Sequence, residues 1–279
     1  MARDGPRINE TTNMKLDELQ GHWALVTGSS SGIGAEFCRQ LAAAGMNLVM
    51  VARRTELLDE ISAALIGAHA IRTLVLTLDL SERGSALKVK AATGEAAIRV
   101  RLLINNAAYG PWGSFELTPS DTYEGMLQLL AATPIALCHE FRTDLESFAS
   151  SAVINLSSPA ALQPVPYKAV YSAAKTCLHN FSLALHGEWQ ERGVLVQTLL
   201  PGPTATDLDT IGRAYKSELG EERRSPAEVV AQSLQQLESG APFVTTNKGT
   251  YKQRLFAGIA PTRMIIREVK KMFQAPPGR

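Results

Sequence analysis

Short apolar runs alternate with longer amphipathic segments along most of this 279-residue chain. Seven of the runs are nearly continuously apolar, which is the pattern of parallel strands covered on both faces. The segments between them carry apolar residues every three or four positions, as on one helix face. This alternation predicts one α/β domain with a doubly wound parallel sheet and helices on both faces. The predicted strands are Trp23–Thr27, Leu48–Ala52, Ile71–Leu78, Leu102–Ile104, Ala152–Leu156, Val194–Leu200 and, at an edge, Phe243–Thr246.

Residues 19–246 hold all seven strands and are predicted to form the domain. Within them, one long helix should cover Asp121 to Leu145, with an irregularity at Pro134, which cannot donate its backbone N–H. Residues 1–18 are polar and are predicted to be a flexible extension. Residues 247–279 are predicted to form a helical extension. Within it, Leu255 to Phe273 mixes apolar and basic residues, which is typical either of a helix on a membrane surface or of a terminal helix packed on the domain or a partner subunit. The second interpretation is preferred.

The overall composition excludes several classes of protein. The chain is 45% apolar and 20% charged, with a net charge of +1, which does not favour nucleic acid as a partner. Its three cysteines lack metal-ligand spacing and are typical of a reducing compartment. No apolar run reaches the roughly 18 residues of a membrane span, and the N-terminus has no signal core. We therefore expect a cytoplasmic protein without a metal site.

A glycine-rich loop, Thr27-Gly-Ser-Ser-Ser-Gly-Ile-Gly34, joins the first predicted strand to the next helix. Gly28 lets the chain turn, Gly32 allows a pyrophosphate to approach the backbone, and Gly34 permits close helix–strand packing. Free N–H groups at the start of the helix would face the phosphates. The loop therefore predicts a dinucleotide site that includes Gly28, Ser29, Ser31, Gly32, Ile33 and Gly34.

The end of the second strand favours NADP over NAD. An NAD site needs a carboxylate there for the ribose 2′-hydroxyl, whereas an NADP site needs positive charge for the 2′-phosphate. Ala52 stands where the acid is expected, and Arg53 and Arg54 follow it. Ser29 could add a hydroxyl contact. The alternative is two solvated arginines, although the start of a helix does not favour cations.

A serine, a tyrosine and a lysine indicate the chemistry. Tyr171 and Lys175 stand four residues apart, on the same face of a predicted helix, and Ser158 precedes the tyrosine by thirteen residues. A neighbouring ammonium favours phenolate, so the tyrosine pKa is expected to fall below its ordinary value of about 10. A phenol tuned in this way can exchange a proton with an alcohol or ketone. The three residues therefore predict carbonyl reduction or alcohol oxidation.

These motifs, taken in order, resemble the short-chain dehydrogenase/reductase (SDR) family over roughly residues 19–242. The resemblance rests on the glycine loop, Asp79-Leu80, Asn105-Asn-Ala107, Ser158, Tyr171-x-x-x-Lys175 and Pro201-Gly202. It implies a Rossmann-type fold with a seven-stranded parallel sheet, NADP(H) as cofactor, no metal, and a homodimer or homotetramer.

The resemblance also implies roles for individual residues. Tyr171 would be the general acid in reduction, Ser158 would hold the substrate oxygen, and Lys175 would lower the tyrosine pKa and bind the nicotinamide ribose. Asp79 and Leu80 would lie near the adenine, although Asp79 also suits a helix cap. The further cofactor contacts implied are Asn106, Ala107, Pro201, Gly202, Thr204 and Thr206, and the substrate lid would span about residues 203–225.

Two positions depart from the family pattern. Ala108 replaces a glycine and could crowd the backbone, and Leu130 stands where the family carries a catalytic asparagine that supports a proton-relaying water. Gln128 lies two residues away, roughly 200° around a helix, and is a poor substitute. The leading interpretation is an NADPH-dependent reductase of ketones or aldehydes, with apolar or cyclic substrates if nearby aromatic residues such as Tyr109 line the site. The alternatives are a non-catalytic NADP-binding sensor or scaffold and an enzyme of different chemistry, such as elimination or isomerisation.

Overall fold

Seven strands form one sheet in the computed structural model, which describes residues 14–205, 223–247 and 249–273. All neighbouring strands run parallel. The strands are β1 Trp23–Thr27, β2 Asn47–Ala52, β3 Thr73–Thr77, β4 Val100–Asn105, β5 Ser151–Leu156, β6 Val194–Leu200 and β7 Phe243–Thr245. Their order across the sheet is β3-β2-β1-β4-β5-β6-β7. The predicted fold class is confirmed, and β7 lies at an edge.

Helices connect the strands and cover both faces of the sheet. They are α1 Gly32–Ala43, α2 Thr55–Ala68, α3 Ser85–Glu95, α4 Ser120–Leu127, α5 Thr133–Glu146, α6 Ala169–Trp189, α7 Pro226–Leu237, α8 Gly249–Ile259 and α9 Thr262–Met272.

Successive residues of one strand belong to two different cores, which explains the continuous apolar runs. In β1, Ala24 and Val26 pack into the cluster that also contains α1 and α7 residues such as Phe37 and Val230. Leu25, between them, packs into the opposite cluster with α5 residues such as Phe141. Because side chains alternate across a strand, only a strand buried on both sides needs every position to be apolar.

The structure differs from the predicted extensions at both ends. Met14 and Leu19 are fully buried, and the Met14 N–H donates to Leu237 O at 3.1 Å, so this stretch is anchored to the domain at both residues, while Lys15, Asp17 and Glu18 between them are exposed. At the other end, residues 249–272 form two helices rather than one. Pro261 lies between them and breaks the helix, because proline has no backbone N–H to donate in a helix interior.

Candidate active site

A cavity of about 340 Å³ opens at the carboxyl edge of the sheet, where the strand order reverses between β1 and β4. Ligands bind at such a reversal in open α/β sheets. The predicted site residues that line this cavity are Gly28, Ser31, Gly32, Ile33, Arg53, Arg54, Asp79, Leu80, Asn106, Ala107, Tyr171, Lys175 and Pro201.

Other predicted site residues do not line the cavity. These are Ser29, Gly34, Ser158, Gly202 and Thr204. Thr206 lies outside the described residues.

The glycine loop packs as its spacing predicts. Gly28 has a φ of +68°, a conformation that glycine adopts without strain, and its N–H donates to Val51 O at 2.8 Å. A Cβ added at Gly34 would lie 2.2 Å from Gly28 O, so only glycine allows α1 to approach β1 this closely. Gly34 therefore acts through packing rather than from the cavity wall.

Ser29 was predicted to contact the cofactor with its hydroxyl, but it does not line the cavity. Its side chain is fully buried, and its Oγ has no hydrogen-bond partner in the described part of the chain. The Ser29 N–H donates to Val51 O at 3.4 Å, which holds this residue against β2. The hydroxyl groups that do face the cavity belong to Ser30 and Ser31.

The two arginines have different partners. Arg54 donates to Ser30 Oγ from Nη2 at 2.9 Å and to Ser31 Oγ from Nη2 at 2.7 Å, so it braces the glycine loop. Arg53 reaches Asp79 at 3.8 Å, and its side chain is 65% exposed. Because exposed ion pairs hold their partners weakly, Arg53 is the arginine more available to a phosphate.

Asp79 serves as a turn cap at the end of β3 while facing the cavity. Its Oδ1 accepts from the Ser81 N–H at 2.8 Å and from the Ser81 hydroxyl at 2.6 Å. Burial opposes ionisation of this carboxyl, but the bonds from Ser81 and the charge of Arg53 outweigh it and lower its pKa. The cap and the cavity position proposed from sequence thus coexist in one residue.

Asn106 supports the glycine loop from β4. Its Nδ2 donates to Thr27 O at 2.9 Å and to Gly28 O at 3.2 Å. Thr27 Oγ1 in turn accepts from the N–H groups of Asn106 and Ala107, at 2.9 and 3.1 Å. No role was predicted for the Thr27 hydroxyl, yet its hydrogen bonds tie β1 to the end of β4, across the reversal in strand order.

Ser158, Tyr171 and Lys175 come together where β5 meets α6. Ser158 follows β5 and caps a short 3-10 turn, its Oγ accepting from Ala160 N–H at 3.2 Å. A hydrogen bond joins its side chain to Tyr171. Lys175, one helical turn beyond Tyr171, donates from Nζ to Leu156 O at 2.7 Å and lies 5.9 Å from the centre of the Tyr171 ring.

Burial has the largest effect on the pKa values of Tyr171 and Lys175. It raises the pKa of Tyr171 above 10, although the hydrogen bond with Ser158 opposes the rise. Burial also lowers the pKa of Lys175 to about 8. The expected fall in the tyrosine pKa is therefore not produced in the chain without cofactor, because desolvation of the phenolate outweighs the favourable contacts.

The backbone of Gly110, in the loop after β4, lies directly against the Tyr171 ring. A Cβ added at Gly110 would lie 2.7 Å from Tyr171 Cδ2 and 3.3 Å from Cε2, closer than side chains tolerate. The neighbouring Gly113 N–H donates to Tyr167 O at 3.1 Å, which ties the loop after β4 to the loop before α6. Sequence reasoning missed Gly110, and a glycine just past the Asn-Asn-Ala motif was the available signal.

The helix after β4 is irregular at the position of the missing asparagine. Gln128–Ala132 forms a π-helical turn between α4 and α5, and Leu130 within it is fully buried in the apolar cluster against which Tyr171 packs. Gln128 Nε2 donates to Thr133 Oγ1 at 3.0 Å. Gln128 therefore bonds within its own helical segment, and Leu129 is the residue of this turn that lines the cavity.

Among the described residues just after β6, Pro201 lines the cavity, and those that follow it are held by hydrogen bonds outside the cavity wall. Gly202 N–H donates to Thr246 Oγ1 at 3.1 Å, and Thr204 Oγ1 donates to Gly202 O at 2.8 Å. The predicted lid lies largely outside the described residues, since 206–222 are not among them. Its two ends are paired, because Ala205 N–H donates to Arg224 O at 3.1 Å.

The aromatic residues after β4 divide between two positions. Tyr109 lines the main cavity beside Ala108, and its hydroxyl donates to Thr122 O at 3.1 Å. Phe115 stacks on Tyr123 with ring centres 5.1 Å apart and lines a second, smaller cavity that also touches Tyr171. Apolar surface therefore lies on either side of the tyrosine.

The residues of the main cavity fit a phosphorylated dinucleotide. The amino end of α1 faces it with a backbone free of side chains at Gly32, and helix amino ends bind phosphates. Arg53, Arg54 and the hydroxyl groups of Ser30 and Ser31 add donors of the kind that phosphate oxygens accept. No acidic residue occupies the end of β2, which is Ala52.

Fold and site together place the chain among the dinucleotide-binding α/β proteins. The sequence model of the short chain dehydrogenase family matches residues 22–216, and the chain belongs to this family.

Three comparisons show what this chain is similar to. A very-long-chain 3-oxoacyl-CoA reductase from Bos taurus is 30% identical over 69% of this chain, a match that spans only 62% of the bovine protein. A solved structure from a study of 7beta-hydroxysteroid dehydrogenase stereoselectivity is 25% identical, with a TM-score of 0.82 over 92% of this chain and 99% of that one. A short-chain dehydrogenase from Sphingobium yanoikuyae, solved in complex with NADPH, is 25% identical, with a TM-score of 0.76 over 92% and 99%.

Proposed function

We propose that this protein is an NADPH-dependent oxidoreductase that reduces a ketone or aldehyde and, in reverse, oxidises an alcohol. The observation that carries the proposal is the convergence of Ser158, Tyr171 and Lys175 where β5 meets α6, with Tyr171 and Lys175 lining the main cavity. Family membership and the reductase and dehydrogenase names of its relatives support the reaction type. NADPH held in the main cavity would supply the hydride.

Three side chains of this chain handle the proton and the substrate oxygen. The Tyr171 hydroxyl, kept protonated by its raised pKa, donates a proton to the carbonyl oxygen as negative charge develops there. Ser158 bonds Tyr171 and supplies a second donor for the same oxygen. Lys175, with a pKa of about 8, is mostly protonated at neutral pH. Its positive charge lies near the Tyr171 ring and favours the phenolate that forms when Tyr171 gives up its proton.

NADPH is preferred over NADH in this proposal. Ala52 leaves the end of β2 without a carboxylate for a ribose 2′-hydroxyl, while Arg53 and Arg54 line the same part of the cavity. The Sphingobium yanoikuyae relative solved with NADPH supports the choice.

Consumption of NADPH tests the proposal. Purified protein is mixed with a panel of ketones, aldehydes and quinones, and absorbance at the NADPH band is followed for wild type and Tyr171→Phe. We expect turnover of at least one carbonyl compound by wild type and a loss of at least about 10²-fold in kcat for the variant, because the general acid is gone. NADPH binding, measured by fluorescence titration, should be retained by both.

A second function is favoured by one observation. Leu130 removes the polar side chain expected beside the lysine, which is compatible with an NADP-binding sensor or scaffold without catalysis. If wild type and Tyr171→Phe bind NADPH equally but neither consumes it with any carbonyl compound, this second function replaces the first.

A further inference from the structure

The two C-terminal helices present outward faces of different chemistry. Tyr251, Leu255 and Ile259 recur every four residues along α8 and lie on its outer side with Phe256, each between 42% and 75% exposed. The opposite side of α8 faces the domain, where Thr250 is buried and Gln253 Nε2 donates to Pro159 O at 3.0 Å. Leu255 and Ile259 are thus turned away from the protein, whereas the Tyr251 ring also packs edge-on against Phe243, with ring centres 5.7 Å apart.

The outward face of α9 is basic. Ile265 and Val269 are buried against Val165, which fixes the inner face of the helix. At 100° per residue, the opposite side carries Arg263, Arg267, Lys270 and Lys271, all exposed. Residues 249–273 hold six basic residues and one acidic residue, Glu268, while the whole chain has a net charge of only +1. Glu268 pairs with Arg267 and Lys271, and the two helices together still carry a large excess of positive charge.

We propose that the outer faces of α8 and α9 form a docking surface for a membrane rich in anionic lipid. Exposed apolar side chains together with exposed basic side chains are the combination that binds the boundary between lipid headgroups and acyl chains. A helix lying on a bilayer needs no spanning segment, and no helix within the described residues is long and apolar enough to span one.

Charge favours lipid over a second copy of the chain. A twofold contact centred on this surface would set the same patch of both copies face to face. The basic face of α9 would then meet its own copy, and like charges repel. An anionic bilayer instead presents the complementary charge.

Docking would bring the membrane next to the candidate active site. Gln253 of α8 bonds Pro159, and α9 packs on Val165, so both helices rest on the segment that links Ser158 to Tyr171. The proposal does not depend on the oxidoreductase activity, although it would suit carbonyl substrates that dissolve in lipid.

Vesicle flotation tests the proposal. Full-length protein is mixed with vesicles of phosphatidylcholine alone or with about one third phosphatidylserine, at physiological ionic strength. We expect at least about tenfold more protein on the anionic vesicles, and a marked decrease in high salt. The double variant Leu255→Gln/Ile259→Gln and the double variant Arg263→Glu/Lys270→Glu should each lose at least tenfold of that binding.

Matched controls keep the test decisive. Leu87 and Ile66 are also exposed aliphatic residues, on α3 and α2, and Leu87→Gln/Ile66→Gln should bind anionic vesicles as wild type does. Melting temperatures show that each variant is folded. Absence of binding to anionic vesicles, or equal losses in the α8 and control variants, overturns the proposal. So does dissociation of an oligomer by Leu255→Gln/Ile259→Gln in light scattering, because the face would then be an interface between copies.

Discussion

At the scale of single residues, the groups around Tyr171 divide into those that contact its hydroxyl and those that hold its ring. Ser158 forms a hydrogen bond with the tyrosine, whereas Gly110 leaves room for the edge of the ring because it has no side chain. Lys168 and Lys175 place their Nζ atoms 5.6 and 5.9 Å from the ring centre. The orientation of the phenol thus depends on Gly110 as well as on the residues that take part in the proton transfer.

Gly110→Ala is expected to reduce turnover while sparing the cofactor. The new Cβ would lie 2.7 Å from Tyr171 Cδ2, so the ring or the loop must move. A displacement near 1 Å at a reacting group costs about 10²-fold in rate. We expect that loss in kcat with NADPH affinity within about threefold of wild type, measured by steady-state kinetics and titration.

Gly94→Ala is the matched control for that substitution. Nothing lies within 4 Å of a Cβ added at Gly94, which is in α3, so this variant should keep wild-type kcat. If Gly110→Ala turns over as fast as its control, then the contact with the ring has no role in orienting Tyr171.

The two arginines are expected to differ in their effect on cofactor choice. Arg53→Ala should weaken NADPH by about tenfold and NADH by less than twofold, because its guanidinium has only a weak partner in Asp79 and is available to a 2′-phosphate. Arg54→Ala should weaken both cofactors, because it removes the bonds to Ser30 and Ser31 that brace the glycine loop.

Titration of each variant with NADPH and NADH measures the difference. Arg72→Ala serves as control, since Arg72 lies just before β3, at the amino end of the strands, far from the cavity edge. Equal weakening of both cofactors by Arg53→Ala would contradict the NADP assignment.

At the scale of elements, periodicity predicted the strands closely but not the irregular backbone. β1 and β6 have the predicted bounds, because turn residues flank apolar runs that both cores bury. The long helix after β4 was predicted to be irregular at Pro134, yet the π turn lies just before it, at Gln128–Ala132. A local pattern cannot show where a helix widens, since the neighbours that fill the turn come from elsewhere in the chain.

The candidate site was predictable to the same degree. Tyr171 and Lys175 could be paired from helical spacing, and the glycine loop from its place between strand and helix. Ser29 was misplaced because sequence does not tell which of three consecutive serines faces inward. Gly110 was missed because its contact joins β4 to α6, a pairing that only the tertiary structure reveals.

The π turn is expected to tolerate Leu130→Met but not Leu130→Asn. Leu130 is fully buried among apolar side chains, so an asparagine amide there would lose apolar contacts and lack partners. We expect a loss of about 2–4 kcal/mol in the free energy of unfolding for Leu130→Asn, without a rise in kcat. Leu130→Met conserves volume and should cost less than about 1.5 kcal/mol.

Denaturant unfolding and steady-state kinetics measure the two effects. An asparagine variant as stable as wild type and faster in turnover would mean that the turn accommodates a polar relay, contrary to its apolar surroundings.

At the scale of the whole molecule, the sheet serves both the fold and the site. Its two cores bury the strands, and the reversal between β1 and β4 leaves the cavity at the carboxyl edge. The site adds a buried ammonium, Lys175, whose desolvation opposes folding. The proposed chemistry requires Lys175, but burial of its charged ammonium lowers the free energy of unfolding at neutral pH.

This conflict predicts how Lys175→Met changes stability with pH. The pKa of Lys175 falls from 10.5 to about 8 on folding, so between these values the unfolded chain holds a proton that the folded chain has released. Stability of the wild type therefore rises with pH across this window relative to the variant, by at most about 1.4 kcal/mol per pH unit. Between pH 8 and 10, the free energy of unfolding of the wild type should therefore increase relative to that of Lys175→Met, whichever of the two proteins is more stable at pH 7.

Denaturant unfolding of both proteins without cofactor, in half-unit steps of pH, measures this shift. Cys38 and Cys138, whose pKa values burial raises to about 12, lower stability above pH 9, but they do so in both proteins and cancel in the difference. Lys88→Met is the control, because Lys88 is an exposed lysine paired with Glu82, and its difference from wild type should not vary in this window. A constant difference for Lys175→Met as well would show that Lys175 stays protonated in the folded protein, and that its burial does not oppose its charge.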